Sequence, residues 1–145
     1  MGQGIEEFWT DARNEIVSKC IRLSANDATL GSSEGYQGSR ERIFDSLFSA
    51  LLQDMQDSTL AKTSELIDSL AREAVKYGRD VEPLERIIEI LMESAEETVK
   101  TKYQEESSKV SRITGHIKEY LNEATIILAK AIIKAQAEVI EKQKE

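Results

Sequence analysis

The chain has 145 residues, about one domain's worth, and is 32% charged and 40% hydrophobic, an ordinary composition for a folded protein that faces water. Its 19 basic and 27 acidic side chains leave a formal charge of −8, which argues against nucleic acid or an anionic membrane as the main partner. One cysteine excludes an internal disulfide framework, one histidine excludes most metal sites built from such ligands, and one proline with seven glycines, five of them before residue 40, points to an all-α chain.

Ile5, Phe8, Trp9, Ala12, Ile16, Cys20 and Leu23 recur at spacings of three and four, so a first helix is expected at about 4–23. Residues 24–38 are rich in Gly, Ser and Asn without a period and read as a long loop. A second helix follows at about 39–56, with Ser39 as its N-cap and a broad inner face of Ile43, Phe44, Leu47, Phe48, Leu51, Leu52 and Met55. Ser58 is a candidate cap for a third helix at about 59–77, with Leu60, Ile67, Leu70, Ala71, Ala74 and Val75 inward. Gly78 stops it. Pro83 suits the first turn of a fourth helix, carried to about 104 by Leu84, Ile87, Ile88, Leu91, Met92, Ala95 and Val99.

The last element, about 107–143, is far longer than a usual globular helix, roughly 55 Å at 1.5 Å per residue. Ile113, Ile117, Tyr120, Ala124, Ile127 and Ala131 step alternately by four and three, the period of a helix–helix seam. A neighbouring set, Leu121, Leu128 and Ala135, repeats every seven, as do Ile132 and Val139. One stripe suffices to dock the helix on its own domain; the other is expected to meet a second copy, with the first six residues as the dimer seam. From about residue 134 the helix is expected to begin a linker towards a further domain.

Candidates for chemistry are few. His116 reads as a surface or seam residue, Cys20 as a small buried filler, and Glu6-Glu7, Glu96-Glu97 and Glu105-Glu106 as solvated helix faces. A di-iron carboxylate bundle needs two Glu-x-x-His pairs, which one histidine cannot supply. There is no phosphate loop, calcium loop or Ser/His/Asp set. No catalytic, cofactor-binding or metal-ligating residue is expected, and the chain reads as a non-enzymatic regulatory module. No run reaches the roughly 18 apolar residues of a membrane helix, and the N-terminus lacks a leader pattern. Met1-Gly2 begins like an acylation signal but carries Glu6 where Ser or Thr is needed. A cytoplasmic location is expected.

Phe8-Trp9-Thr10-Asp11, the aromatic second helix, Leu70-Ala71-Arg72-Glu73-Ala74-Val75-Lys76-Tyr77-Gly78, the abrupt turn before Leu84 and the long last helix together resemble the N-terminal sensory domain of RsbR-type stressosome proteins. The resemblance implies a globin-like, all-α sensory domain of about five helices that binds no haem. It also implies a homodimer along the last helix, with Gln136, Ile140 and Gln143 opening the linker to a STAS domain. Other stressosome proteins, a STAS-domain scaffold and a switch kinase, would then be partners through that C-terminal part. Where related globins place a haem-binding helix, this sequence has only Arg79-Asp80-Val81-Glu82. A haem- or tetrapyrrole-binding gas sensor, or a sensor preceding a histidine kinase, is the alternative.

Overall fold

A computed structural model describes residues 3–27 and 40–144. Among them the chain forms six α-helices and no strand: α1 Gln3–Asp11, α2 Arg13–Ala25, α3 Arg40–Asp57, α4 Ala61–Lys76, α5 Glu82–Lys102 and α6 Ser107–Lys144. Most of the loop expected at 24–38, and the proposed cap Ser39, lie outside the described residues.

The helices close on one another in a ring. α6 packs on α5, α5 on α2, α2 on α3, α3 on α4, and α4 returns to α6; α1 lies against α3 and α6. The ring encloses Phe8, Trp9, Ile16, Phe44, Phe48, Leu51, Ile87, Ile90, Leu91 and Ile113, all fully buried. Its aromatic centre is directional as well as apolar. Trp9 stacks on Phe48 at 4.4 Å and 8°, and its indole Nε1 donates to the Phe48 carbonyl at 3.1 Å, so the one buried indole N–H is satisfied. Arg13 lies 5.1 Å from the Phe48 ring centroid while pairing with Asp45 at 2.6 Å.

Where one helix was expected at 4–23, the structure has two. Ala12 leaves helical geometry at φ −95° and ψ 6°, yet its N–H reaches Phe8 and its carbonyl accepts from Ile16. The helix is interrupted there without surrendering those two bonds, and the apolar period runs through the break unchanged. This is why periodicity read the pair as one helix.

Ser58 does not cap α4. It sits at φ 54°, the left-handed residue just past the end of α3, and the Thr59 N–H closes back on the Asp54 carbonyl at 3.0 Å. The cap comes from the preceding helix instead. The Asp54 carboxylate, wholly buried, accepts from the N–H groups of Lys62 at 3.0 Å and Thr63 at 2.8 Å, and the Thr59 hydroxyl accepts from Ala61 at 3.1 Å. Those are orphan donors of a helix N-terminus, where negative charge is also favoured. Gly78 ends α4 as expected: at φ 66° it lets Arg79 donate to the Ala74 carbonyl at 2.8 Å and its own N–H to Val75 at 3.2 Å. Pro83 lies in the first turn of α5, where the Asp80 carboxylate accepts from Glu82.

Candidate functional site

α6 runs 38 residues without interruption, about 57 Å at the standard rise. It has no helix breaker except Gly115, which is exposed and whose missing Cβ would meet nothing within 4 Å. α4 and α5 grip it along one side. Near its far end the Arg72 guanidinium on α4 reaches Glu138 at 3.8 Å, so the distal half is held against the domain as well.

This arrangement corrects the expected dimer seam. Ile113, Ile117 and Ala124 are completely buried in the chain's own core, Ala131 is nearly so, and Tyr120 and Ile127 pack half-buried against the same core. Leu121, Leu128 and Ala135, the second set, are buried there too, as is Ile132, while Val139 is half-buried. Both stripes serve the chain's own fold. The physical reason is width: α6 lies in the cleft between two helices, so its buried arc exceeds one coiled-coil seam.

The outward edge carries a third apolar row that the spacing argument passed over. Ile126, Ile133 and Ile140 are 46%, 67% and 55% exposed and stand seven residues apart, spanning about 21 Å of helix. Ala129 and Ala137 lie exposed between them. Their heptad spacing was present in the sequence, but the buried sets carry more apolar residues and drew the assignment.

The remaining candidates lie on different helices and do not come together. Cys20 is inaccessible between α2 and α5, and burial pushes its thiol up to about 12, with Ser94 pulling weakly the other way. A thiol so held is a poor nucleophile at neutral pH. His116 is about a third exposed on α6, with its Nδ1 3.8 Å from Glu119. Of the acidic doublets, Glu6 and Glu96 are half-buried and the other four side chains are exposed; Glu97 pairs with Lys19 at 3.8 Å. Tyr120 is raised above its ordinary value by burial first, then by the carboxylates of Asp54, Glu6 and Glu119. Arg86 ties the end of α2 to α5, meeting Asp27 at 2.7 Å, Glu89 at 3.0 Å and Glu93 at 3.5 Å. Among the described residues no three or more His, Cys, Asp or Glu side chains converge as a metal site would need, and no helix is long and apolar enough to cross a membrane.

Phe44, Phe48 and Leu91 are fully buried in the interior of the ring, with Met92 packed half-buried against the same core. Open surface grooves flank α6. One of about 530 Å³ lies between α5 and α6, lined by Lys100, Ser107, Ser111, Thr114, Gly115 and Lys118 among others; another, of about 330 Å³, lies where the α3–α4 turn meets Glu119, Tyr120 and Glu123. The most distinctive surface feature is the exposed isoleucine row on the longest helix. Compared with known proteins, the chain matches no family model, no curated protein and no solved structure.

Proposed function

We propose that the chain is a non-enzymatic signalling input domain, globin-like in fold and acting as a dimer, of the kind that heads RsbR-type stressosome proteins. The observation that carries this reading is α6 itself. One continuous helix is gripped along its inner side by two others and bares a heptad row of isoleucines along its outer side. Such a rod can hold two copies together and transmit a shift or rotation along its axis towards an output such as a STAS domain. The chemistry required is only a population shift. An input that interacts differently with two packings of the paired helices biases one of them, and a coupling of about 1–3 kcal/mol gives a useful response.

The test is a domain exchange. Placed ahead of the STAS domain of an RsbR-type protein in place of the resident input domain, the chain should support assembly with the scaffold and release of the switch kinase under stress. Loss of assembly or of release, with the chimera folded, would overturn the reading. The haem-sensor alternative predicts a Soret band after haem addition; His116, beside Glu119 on the surface of α6, gives it little support.

A further inference from the structure

We infer that the groove between α5 and α6 binds a small phosphorylated molecule that also carries hydroxyl groups, of the sugar-phosphate class. The groove exists because one stripe of α6 changes chemistry along its length. Leu121, Leu128 and Ala135 stand seven residues apart and are buried against the chain's own core. One and two steps of seven earlier, the same stripe carries Thr114 and Ser107. Hydroxyl side chains cannot draw two helices together as leucines do. An opening of about 530 Å³ is left, a size that suits a small organic molecule and exceeds what a bare ion needs. Gly115 on its wall adds to the room. A glycine inside a helix is destabilising, and no tight packing requires this one, since a Cβ there would meet nothing within 4 Å. A site that must stay open accounts for it.

The chemistry of the wall selects the ligand. Lys100 from α5 and Lys118 from α6 both line the groove, against the single carboxylate of Glu96. Glu96 stands four residues before Lys100, the spacing at which such a pair forms. Yet among the described residues no carboxylate lies within 4 Å of either ammonium. Two lysines without partners call for negative charge, and a phosphate ester with close to two charges matches them. Over the whole chain the charge is −8, so its acidic surface repels extended polyanions while a small anion can still enter. Val110 is the one large apolar side chain on the wall, which leaves little for a greasy ligand; Ser111 and the Gln104 amide instead offer hydrogen bonds to hydroxyl groups. Thr114 adds a specific signal. Thr98, Thr101 and Thr125 each donate to the carbonyl four residues back, whereas the Thr114 hydroxyl is closed off from water with no partner. Threonine on a helix has two accessible χ1 rotamers, so a turn about that bond brings the hydroxyl to the groove and to a ligand oxygen. The site lies on the proximal third of α6, before the isoleucine row, and its occupation does not depend on any paired state or output domain.

The experiment titrates the full chain with glucose-6-phosphate and with glycerol-3-phosphate, beside glucose and inorganic phosphate, and follows the backbone amides by NMR. At least one ester should saturate with a dissociation constant of about 1 mM or tighter, its shifts centred on residues lining the groove. Lys100→Gln and Lys118→Gln should each weaken that binding about tenfold, and Gly115→Leu should fill the groove and abolish it. Lys130→Gln, on the distal part of α6, should change nothing. Circular dichroism checks that every variant keeps its helices. Should Gly115→Leu lose them, the two lysine variants still decide the matter. Inorganic phosphate binding as tightly as the esters overturns the sugar-phosphate assignment and leaves a bare anion site. Glucose binding as tightly overturns the role of the lysines. No saturation by either ester at about 10 mM, or saturation that survives both lysine substitutions, overturns the site itself.

Discussion

The two sides of α6 carry the same residue type in opposite circumstances. Ile113 and Ile117 face inward with nothing exposed, while Ile133, 16 residues beyond Ile117, is two-thirds open to water. The inward pair holds the fold together. The outward row adds nothing to the monomer that a smaller residue would not, and isoleucine is also a poorer helix former than alanine. A large apolar side chain kept where the monomer does not use it marks a surface with another purpose.

The widest separation between the two sides should come from truncation. Ile117→Ala removes buried methylenes from a closed core and should cost about 2–4 kcal/mol in urea unfolding, whereas Ile133→Ala should leave the monomer within about 0.5 kcal/mol of the parent. Equal losses at both positions would erase the distinction. Glutamates at Ile117 and Ala124 together should collapse the fold, since both side chains are enclosed by their own domain and an unpaired charge there finds no solvent.

The inward side also depends on a turn that reads poorly from sequence. Asp54→Ala leaves the Lys62 and Thr63 N–H groups without their acceptor in a buried corner, and should cost about 1–3 kcal/mol. Asp54→Asn should recover part of that, because its carbonyl can still accept one of the two bonds. Thermal unfolding of the pair beside Ser58→Ala separates this arrangement from a cap by Ser58. A larger loss at Ser58 would reverse the assignment.

Periodicity found the helices because each buries a continuous stripe, and it found the ends that use backbone chemistry, Gly78 and Pro83. It could not find the break at Ala12, where the stripe passes through unchanged. Nor could it find Asp54 as the cap of α4, since that bond joins residues eight and nine positions apart and leaves no local signature. On α6 the seam was misassigned for a different reason. Hydrophobic spacing shows which residues share a face but not how wide an arc the neighbouring helices will cover, and only packing showed that two adjacent stripes were both inside.

Thiol chemistry gives the contrast another form. Cys20 on the inward side should resist disulfide reagents at pH 8 until the protein is denatured, while a cysteine at position 133 should react freely in any unpaired monomer. The sign of the pH effect follows from the upward shift at Cys20. Above its ordinary value near 9 the unfolded thiol ionises, but the folded one does not until about 12, so this group's contribution to stability declines as pH rises through that interval. Cys20→Ala should flatten that part of the pH–stability curve. An unchanged slope would mean the thiol is less enclosed than its packing indicates.

The smallest effect concerns the proximal part of the same outer side, at Gly115. A helix-interior glycine costs about 0.5–1 kcal/mol relative to alanine, and here a methyl group would meet no atom within 4 Å. Gly115→Ala should therefore stabilise the isolated chain by about that amount in thermal unfolding, and should leave pairing through Ile126, Ile133 and Ile140 unchanged, because it lies more than a heptad before the row begins. If the substitution stabilises the monomer but weakens the dimer, the helices approach each other closely at Gly115 too. The contact would then begin earlier along α6 than the isoleucine row.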